Sequence, residues 1–305
     1  MPEVIVVGDI GADQFYIVPH LPAWDEGVLV DEWYERPGGK GGNTAAALSR
    51  LGTSAGIIAA AGDDHSGKVA IEGLKSNGVD TRGITIVPGG QTYYCIMMLD
   101  ATGEKAILVV HTDLTYPSPE MMRQQSAYLA SARHAHFIGI DPDRMSGAIH
   151  QAKELGLSVS VDLDAAYQGL DACRSVIEPA DVVLVNRQGA EQLFPGADRR
   201  QAAANLRQMG PSVAVVTAGS LGVVGCDGTQ TVELPAFNIK VKDTTGAGDV
   251  FAGAFVHGYL QGRPLAFSLR FASAAAALAT AAIGGQGALP TESEVMDFLK
   301  QHPAA

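Results

Sequence analysis

The chain has 305 residues, of which 47% are hydrophobic and 18% charged, with 36 glycines and a formal charge of -12. That length is ample for a buried core and excludes a stapled mini-fold, while the acidic balance argues against nucleic acid or an anionic membrane as partner. Three scattered cysteines, Cys95, Cys173 and Cys226, lack metal-ligand spacing and fit a reducing cytosol better than a disulfide framework.

Val4 to Val7 opens the chain as a β-rich run too short for a secretory core. The longest apolar stretch, the alanine-rich Phe271 to Ile283, falls short of the roughly 20 residues of a membrane helix, so the reading is cytoplasmic. Further β-rich runs follow at Ala55 to Ala60, His134 to Ile140, Leu157 to Val161, Asp181 to Val185 and Val213 to Thr217, separated by segments of helical periodicity. This alternation predicts an α/β fold, a Rossmann-like and mainly parallel sheet flanked by helices. Two stretches break it: Phe15 to Arg36 and Gln91 to His111 carry strand-like residues (Val28 to Tyr34, Thr92 to Leu99, Lys105 to Val110) with little helix. They predict a small antiparallel β lid built from segments near 14–36 and 91–111 of one domain, 1–305, whose exposed edges also suit pairing into a homodimer.

Between these elements lie the residues that could carry chemistry. The predicted core strands end in polar residues: Asp9 and Asp13, Asp141, Asp162 with Asp164, Asn186, then Thr217, Gly219 and Ser220. Each alone is an ordinary cap or turn residue. Because ligands of open α/β sheets bind beyond the carboxyl ends of the strands, the set predicts an extended polar cleft along one edge. Gly38-Gly39-Lys40-Gly41-Gly42-Asn43, before a predicted helix Thr44 to Leu51, could press backbone against a small polar ligand and read its hydroxyls with Lys40 and Asn43.

The sharpest local pattern is Asp243-Thr244-Thr245-Gly246-Ala247-Gly248-Asp249, between a strand-like Asn238 to Val241 and a helical run Val250 to Leu260. A Gly-Ala-Gly turn at a helix start lets amides converge where the dipole favours negative charge. Asp249, in the first helical turn, could then take the proton of a hydroxyl attacking a phosphoryl group held there; the plainer alternative is that it only complements the dipole. A dinucleotide fingerprint fails, since Phe251 stands where the third glycine belongs, and Lys40 is followed by Gly41, not by the Ser or Thr of a P-loop. His134 and His136 lack further ligands nearby and read as structural.

Two separated signatures, GGKGGNTAAALSRLG from Gly38 and DTTGAGDVFAGAF from Asp243, make the chain resemble the ribokinase, or PfkB, family of carbohydrate kinases over essentially its whole length. The resemblance implies transfer of the γ-phosphoryl of ATP, with Mg²⁺, to a hydroxyl of a sugar or nucleoside. It implies Asp249 as catalytic base and Gly246, Ala247 and Gly248 as the anion hole. Asp13, Gly39, Lys40, Asn43 and, more weakly, Asp141 match substrate contacts. Asn186, Thr217, Gly219 and Gly222 match nucleotide contacts. Asp243 and Thr245 match ligands of a monovalent cation (K⁺), with backbone from Ile283 to Gly287. Three positions depart from the pattern: Gly189 replaces the usual Glu after Asn186, Leu221 replaces a basic residue, and Gly11 replaces the Asn of ribose-specific members.

The acids Asp9, Asp13 and Asp141 predict a neutral polyol in preference to an already phosphorylated sugar. A nucleoside acceptor stays open through Tyr93, Tyr94 and Tyr116, which could stack a base. A noncatalytic sugar-binding regulator on the same fold also stays open, encouraged by Gly189.

Overall fold

A computed structural model describes residues 1–100, 105–138, 141–164 and 168–303. The chain starts with β1 (Val4–Val7), whose four residues are all buried, and crosses at once into β2 (Gly11–Val18) and β3 (Glu32–Gly38) of a second sheet. It returns through α1 (Lys40–Arg50), β4 (Ala55–Gly62), α2 (His65–Ser76) and β5 (Asp80–Val87). A second excursion forms β6 (Tyr94–Asp100) and β7 (Lys105–Val110). Regular alternation follows: α3 (Pro119–Gln124), α4 (Ser126–Leu129), β8 (His134–Ile138), α5 (Pro142–Glu154), β9 (Ser158–Asp162), α6 (Gly169–Ile177) and β10 (Val182–Asn186). Then come α7 (Arg187–Leu193), α8 (Arg199–Gln208), β11 (Val213–Thr217), β12 (Val223–Cys226), β13 (Thr231–Leu234), α9 (Ala247–Leu260), α10 (Leu265–Ala279) and α11 (Glu292–Gln301).

The large sheet runs β13-β12-β11-β10-β9-β8-β1-β4-β5 and is parallel except for the β11–β12 and β12–β13 pairs. Strand alternation sends Val4 and Val6 into one apolar core and Ile5 and Val7 into the other. The first core packs under α1, α9 and α10, the second under α5, α6 and α8. Burial on both faces explains why these strands read as continuous apolar runs. Among the described residues no helix is long and apolar enough to cross a membrane.

The small sheet runs β3-β2-β6-β7. Its two outer pairs are antiparallel, but β2 and β6 pair in parallel, because the two excursions meet side by side instead of folding into one meander. Several bounds differ from the sequence reading. Strand β3 begins at Glu32, not Val28, and Asn238 to Val241 is coil, not strand. Strands β5, β12 and β13 went unread, since exposed or polar residues interrupt the apolar pattern of β5 and β13 and β12 is only four residues long. Of the run His134 to Ile140, the last two residues lie outside the described residues.

Candidate active site

The glycine-rich segment after Gly38 is not a loop. Helix α1 already begins at Lys40, because the Asp9 carboxylate, just beyond β1, accepts the amides of Lys40 at 3.0 Å and Gly41 at 3.1 Å. The orphan donors of the first turn are thereby satisfied from outside the helix. Gly39 has φ 83°, and a Cβ there would lie 2.7 Å from the Ile10 Cα, so this residue must be glycine for the two segments to pass. Burial raises the Asp9 pKa, opposed by those amides and by the Lys40 charge.

With α1 starting this early, Asn43 sits on its first turn and donates from Nδ2 to Asp249 Oδ2 at 2.8 Å. Asp249 occupies the first turn of α9, so two helix N-termini meet at one carboxylate. Burial raises the Asp249 pKa well above the ordinary carboxylate range; Lys40 and the Asn43 hydrogen bond oppose this, and Asp162 and Asp9 add to it. Lys40 Nζ pairs with Asp164 Oδ2. Burial alone would depress the Lys40 pKa, but the carboxylates of Asp164, Asp249 and Asp162 raise it overall, which keeps the ammonium charged.

The turn before α9 is left-handed at Gly246, φ 75°, and packs so closely on Gly285 that a Cβ would lie 2.5 Å from its Cα. The amide of Ala247, expected among the anion-hole donors, instead donates to the Thr244 carbonyl at 3.2 Å, closing a tight turn. The amides of Gly246, Gly248 and Asp249 carry no partner among the described residues, and they replace it as candidate donors. Ala247 and Gly248 line a cavity of about 650 Å³ together with Thr217, Gly219 and Gly222. Its remaining walls are largely apolar, from Val223, Phe237, Ile239, Phe251 and Ala276. An aromatic or heterocyclic group fits such walls, with its charged end at the helix start.

On β2, Asp13 is 3% exposed and no group among the described residues donates to its carboxylate. Burial, with Asp9 and Asp243 nearby, pushes its pKa to about 7. A Cβ at Gly38 would overlap that carboxylate, so the missing side chain makes its room. Asp141 stands apart from this group: it caps α5, accepts the Arg144 amide at 3.3 Å, and lines a second cavity of about 330 Å³ with His111, Tyr116 and Arg144. Tyr116 links the two places, since burial and the charges of Asp9, Asp141 and Asp164 together raise its pKa.

Asn186 does not line the large cavity. Its Oδ1 caps α7 through the Gly189 amide at 2.8 Å, and its Nδ2 donates to Asp164 Oδ1 at 2.6 Å. Glu191, two residues past the missing glutamate position, turns away and accepts the Gly196 amide. Asp243 is buried and accepts from Thr245 N and Oγ1 at 3.0 and 2.8 Å and from Gly284 N at 2.9 Å. The Lys105 ammonium of β7 lies 3.7 Å from Asp243 Oδ1 and donates to the hydroxyls of Thr244 and Thr245. In this arrangement the two expected cation ligands already face a positive charge and do not fit a free monovalent ion. Among the described residues no group of three or more His, Cys, Asp and Glu is placed to hold a metal.

Sequence reasoning left Lys105 and Asn77 out of the site, counted Gln286 only within a backbone segment, and put Asp162 and Asp164 on the polar edge without giving either a role. The two aspartates had a signal, since Asp162 ends β9 and Asp164 follows it. The other three are brought in only by tertiary contacts.

The family model for pfkB carbohydrate kinases matches residues 1–292. The chain is similar, at 30% identity over 99% of both sequences, to a protein of Halopiger xanaduensis named ATP-dependent ribose-1-phosphate kinase. It is also similar to the ribokinase of Bacillus subtilis, at 29% identity over 98% of this chain and 100% of that one. The fold superposes on the Arabidopsis thaliana ribokinase solved with ribose and ATP, with a TM-score of 0.83 at 25% identity, covering 98% of this chain and 99% of that one.

Proposed function

This chain belongs to the pfkB family of carbohydrate kinases, and from that premise we propose that it moves the γ-phosphoryl group of ATP to a hydroxyl of a small neutral sugar, with Asp249 as general base. The observation that carries the reading is that the Asp249 carboxylate, bonded by the Asn43 amide, sits in the first turn of α9, whose start has unpartnered amides and whose Ala247 and Gly248 line the cavity of about 650 Å³.

In this reading the nucleotide lies in that cavity with its phosphates toward the α9 N-terminus, where the free amides and the dipole meet the negative charge. The sugar lies between Asp13 and Asn43, with Asp13 accepting from its hydroxyls. Asn43 engages Asp249 Oδ2, leaving Oδ1 for the attacking hydroxyl. As the new P–O bond forms, the bond to the ADP oxygen breaks and the hydroxyl proton passes to Asp249. Lys40 opposes the effect of burial on that carboxylate and, in this reading, faces the transferring charge. A magnesium ion carried in by the triphosphate would neutralise phosphate oxygens, as such ions bind largely through phosphates and their own waters. Asp162, raised to about 6 by burial and the Asp164 charge, bonds the Asp164 amide through one oxygen only and would have the other for that hydration shell. No free monovalent ion enters this account, because Lys105 already faces Asp243 and Thr245.

Two of the three tyrosines favour a sugar over a nucleoside: Tyr93 and Tyr116 are 8% and 6% exposed, which leaves little ring face for stacking a base, while Tyr94 is half-buried. A phosphorylated acceptor is the second reading, favoured by Arg144 and His111 in the cavity beside Asp141. ATP-dependent product formation across free sugars, sugar 1-phosphates and nucleosides tests all three. Turnover with free sugars is expected; ADP release with none of them would refute catalysis of this class. The small sheet covers this cleft as a lid in the reading, and its exposed edges pair two copies.

A further inference from the structure

We infer that Gln286 and Asn77 are positioning residues for the transfer reaction: a chain of three side-chain amides runs from the end of α2 to Asp249 and fixes which way Asn43 faces. The inference rests on the reading of Asp249 as the base. Asn77, at the C-terminus of α2, donates from Nδ2 to the Gly73 carbonyl at 2.9 Å and to Gln286 Oε1 at 3.1 Å. Gln286 Nε2 donates to Asn43 Oδ1 at 3.3 Å, and Asn43 Nδ2 donates to Asp249 Oδ2 at 2.8 Å.

The direction of this chain is set by its far end. A backbone carbonyl can only accept, so Asn77 must present its NH₂ group to Gly73, and the same group then meets the Gln286 oxygen. That leaves Gln286 its nitrogen for Asn43, and Asn43 its nitrogen for Asp249. Were Asn43 to flip, a carbonyl oxygen would face the carboxylate. The Gln286 segment also has no room to spare: a Cβ on Gly285 would come within 2.3 Å of the Asn43 amide. None of the three amides acts on substrate through this chain; Gln286 and Asn77 act through Asn43.

The consequence is chemical. The charged groups facing Asp249 are Lys40 on α1, Asp9 beyond β1 and Asp162 at the end of β9. Two of them are carboxylates and burial works in the same direction, so Lys40 and a donor held at Oδ2 are what favour the ionised base. Releasing Asn43 weakens the second, so less of the enzyme carries an ionised base at a given pH.

The test is the acid limb of the kcat/KM–pH profile, measured on the whole protein with ATP and its best acceptor. Gln286→Met keeps the length of the side chain and removes the donor. The acid limb is expected to move up by about half a unit to one unit, since only part of the hydrogen bond to the charged carboxylate is lost. KM for ATP is expected to be unchanged. Asn77→Leu, at the remote end, is expected to shift the limb in the same direction by less, and it serves if Gln286→Met does not fold. In an Asn43→Ala background, Gln286→Met is expected to add nothing, because the path runs through Asn43. An unmoved acid limb in both single variants, or a full extra shift in the Asn43→Ala background, overturns the inference. Asp249→Asn separates the two levels: if it keeps turnover and the acid limb, the base assignment itself fails; if it loses both while Gln286→Met matches wild type, only the relay fails.

Discussion

Asp13 is the residue whose cost and use conflict most openly. Its pKa of about 7 lies above the usual 3.8 because the carboxylate is buried near Asp9 and Asp243. A raised carboxylate pKa favours the fold at pH below the unfolded value and loses that advantage as pH rises through the folded value. Asp13→Asn is therefore expected to raise the melting temperature at pH 8, with a smaller gain at pH 5, while abolishing acceptor binding. A melting temperature that falls at pH 8 would show that the carboxylate is better satisfied than its surroundings suggest. At this scale Asp249 and Asn43 were legible in the sequence because each sits in a short motif whose spacing alone points to a helix start. Gln286 and Asn77 were not, because the contacts that matter span 243 and 209 residues and nothing local marks an amide as oriented.

The elements carry the site through their first turns. Helix α1 starts four residues before the sequence reading put it, since Lys40-Gly41-Gly42 reads as a poor helix until the Asp9 carboxylate supplies the cap. Helix α9 makes a sharper statement. Gly246 needs its left-handed φ and its contact with Gly285, but Gly248 has an ordinary φ and a Cβ there would meet nothing within 4 Å. The packing of the protein itself does not require glycine at 248, which leaves the backbone there open to an approaching ligand. Gly248→Ala is expected to fold with an unchanged or higher melting temperature, as alanine is favoured in a helix by up to about 1 kcal/mol. Its turnover is expected to drop by about 10² if the methyl group blocks a donor to the transferring group. Steady-state kinetics beside thermal melting checks this, and full activity would remove Gly248 from the anion hole.

At the scale of the whole molecule, strand runs and helical spacing made the α/β class readable, because a sheet buried on both faces writes continuous apolar runs into the chain. The strand order was not readable, since register and neighbours are set by non-local packing, and neither was the parallel contact between β2 and β6. The small sheet leaves Trp33 on β3 65% exposed and Leu108 on β7 55% exposed, with Ile107 and Val109 beside it. Apolar edge strands of this kind invite pairing with another copy. A dimer is expected by sedimentation at micromolar concentration, and Leu108→Glu is expected to yield a folded monomer; a wild-type monomer would leave that face without its proposed partner.

The most direct measurement is single-turnover transfer from ATP by Asp249→Asn, run beside a direct nucleotide-binding assay on the same protein. Loss of a general base predicts transfer slowed by about 10²–10⁴ with nucleotide affinity intact. Transfer at the wild-type rate by a variant that still binds ATP would contradict the account.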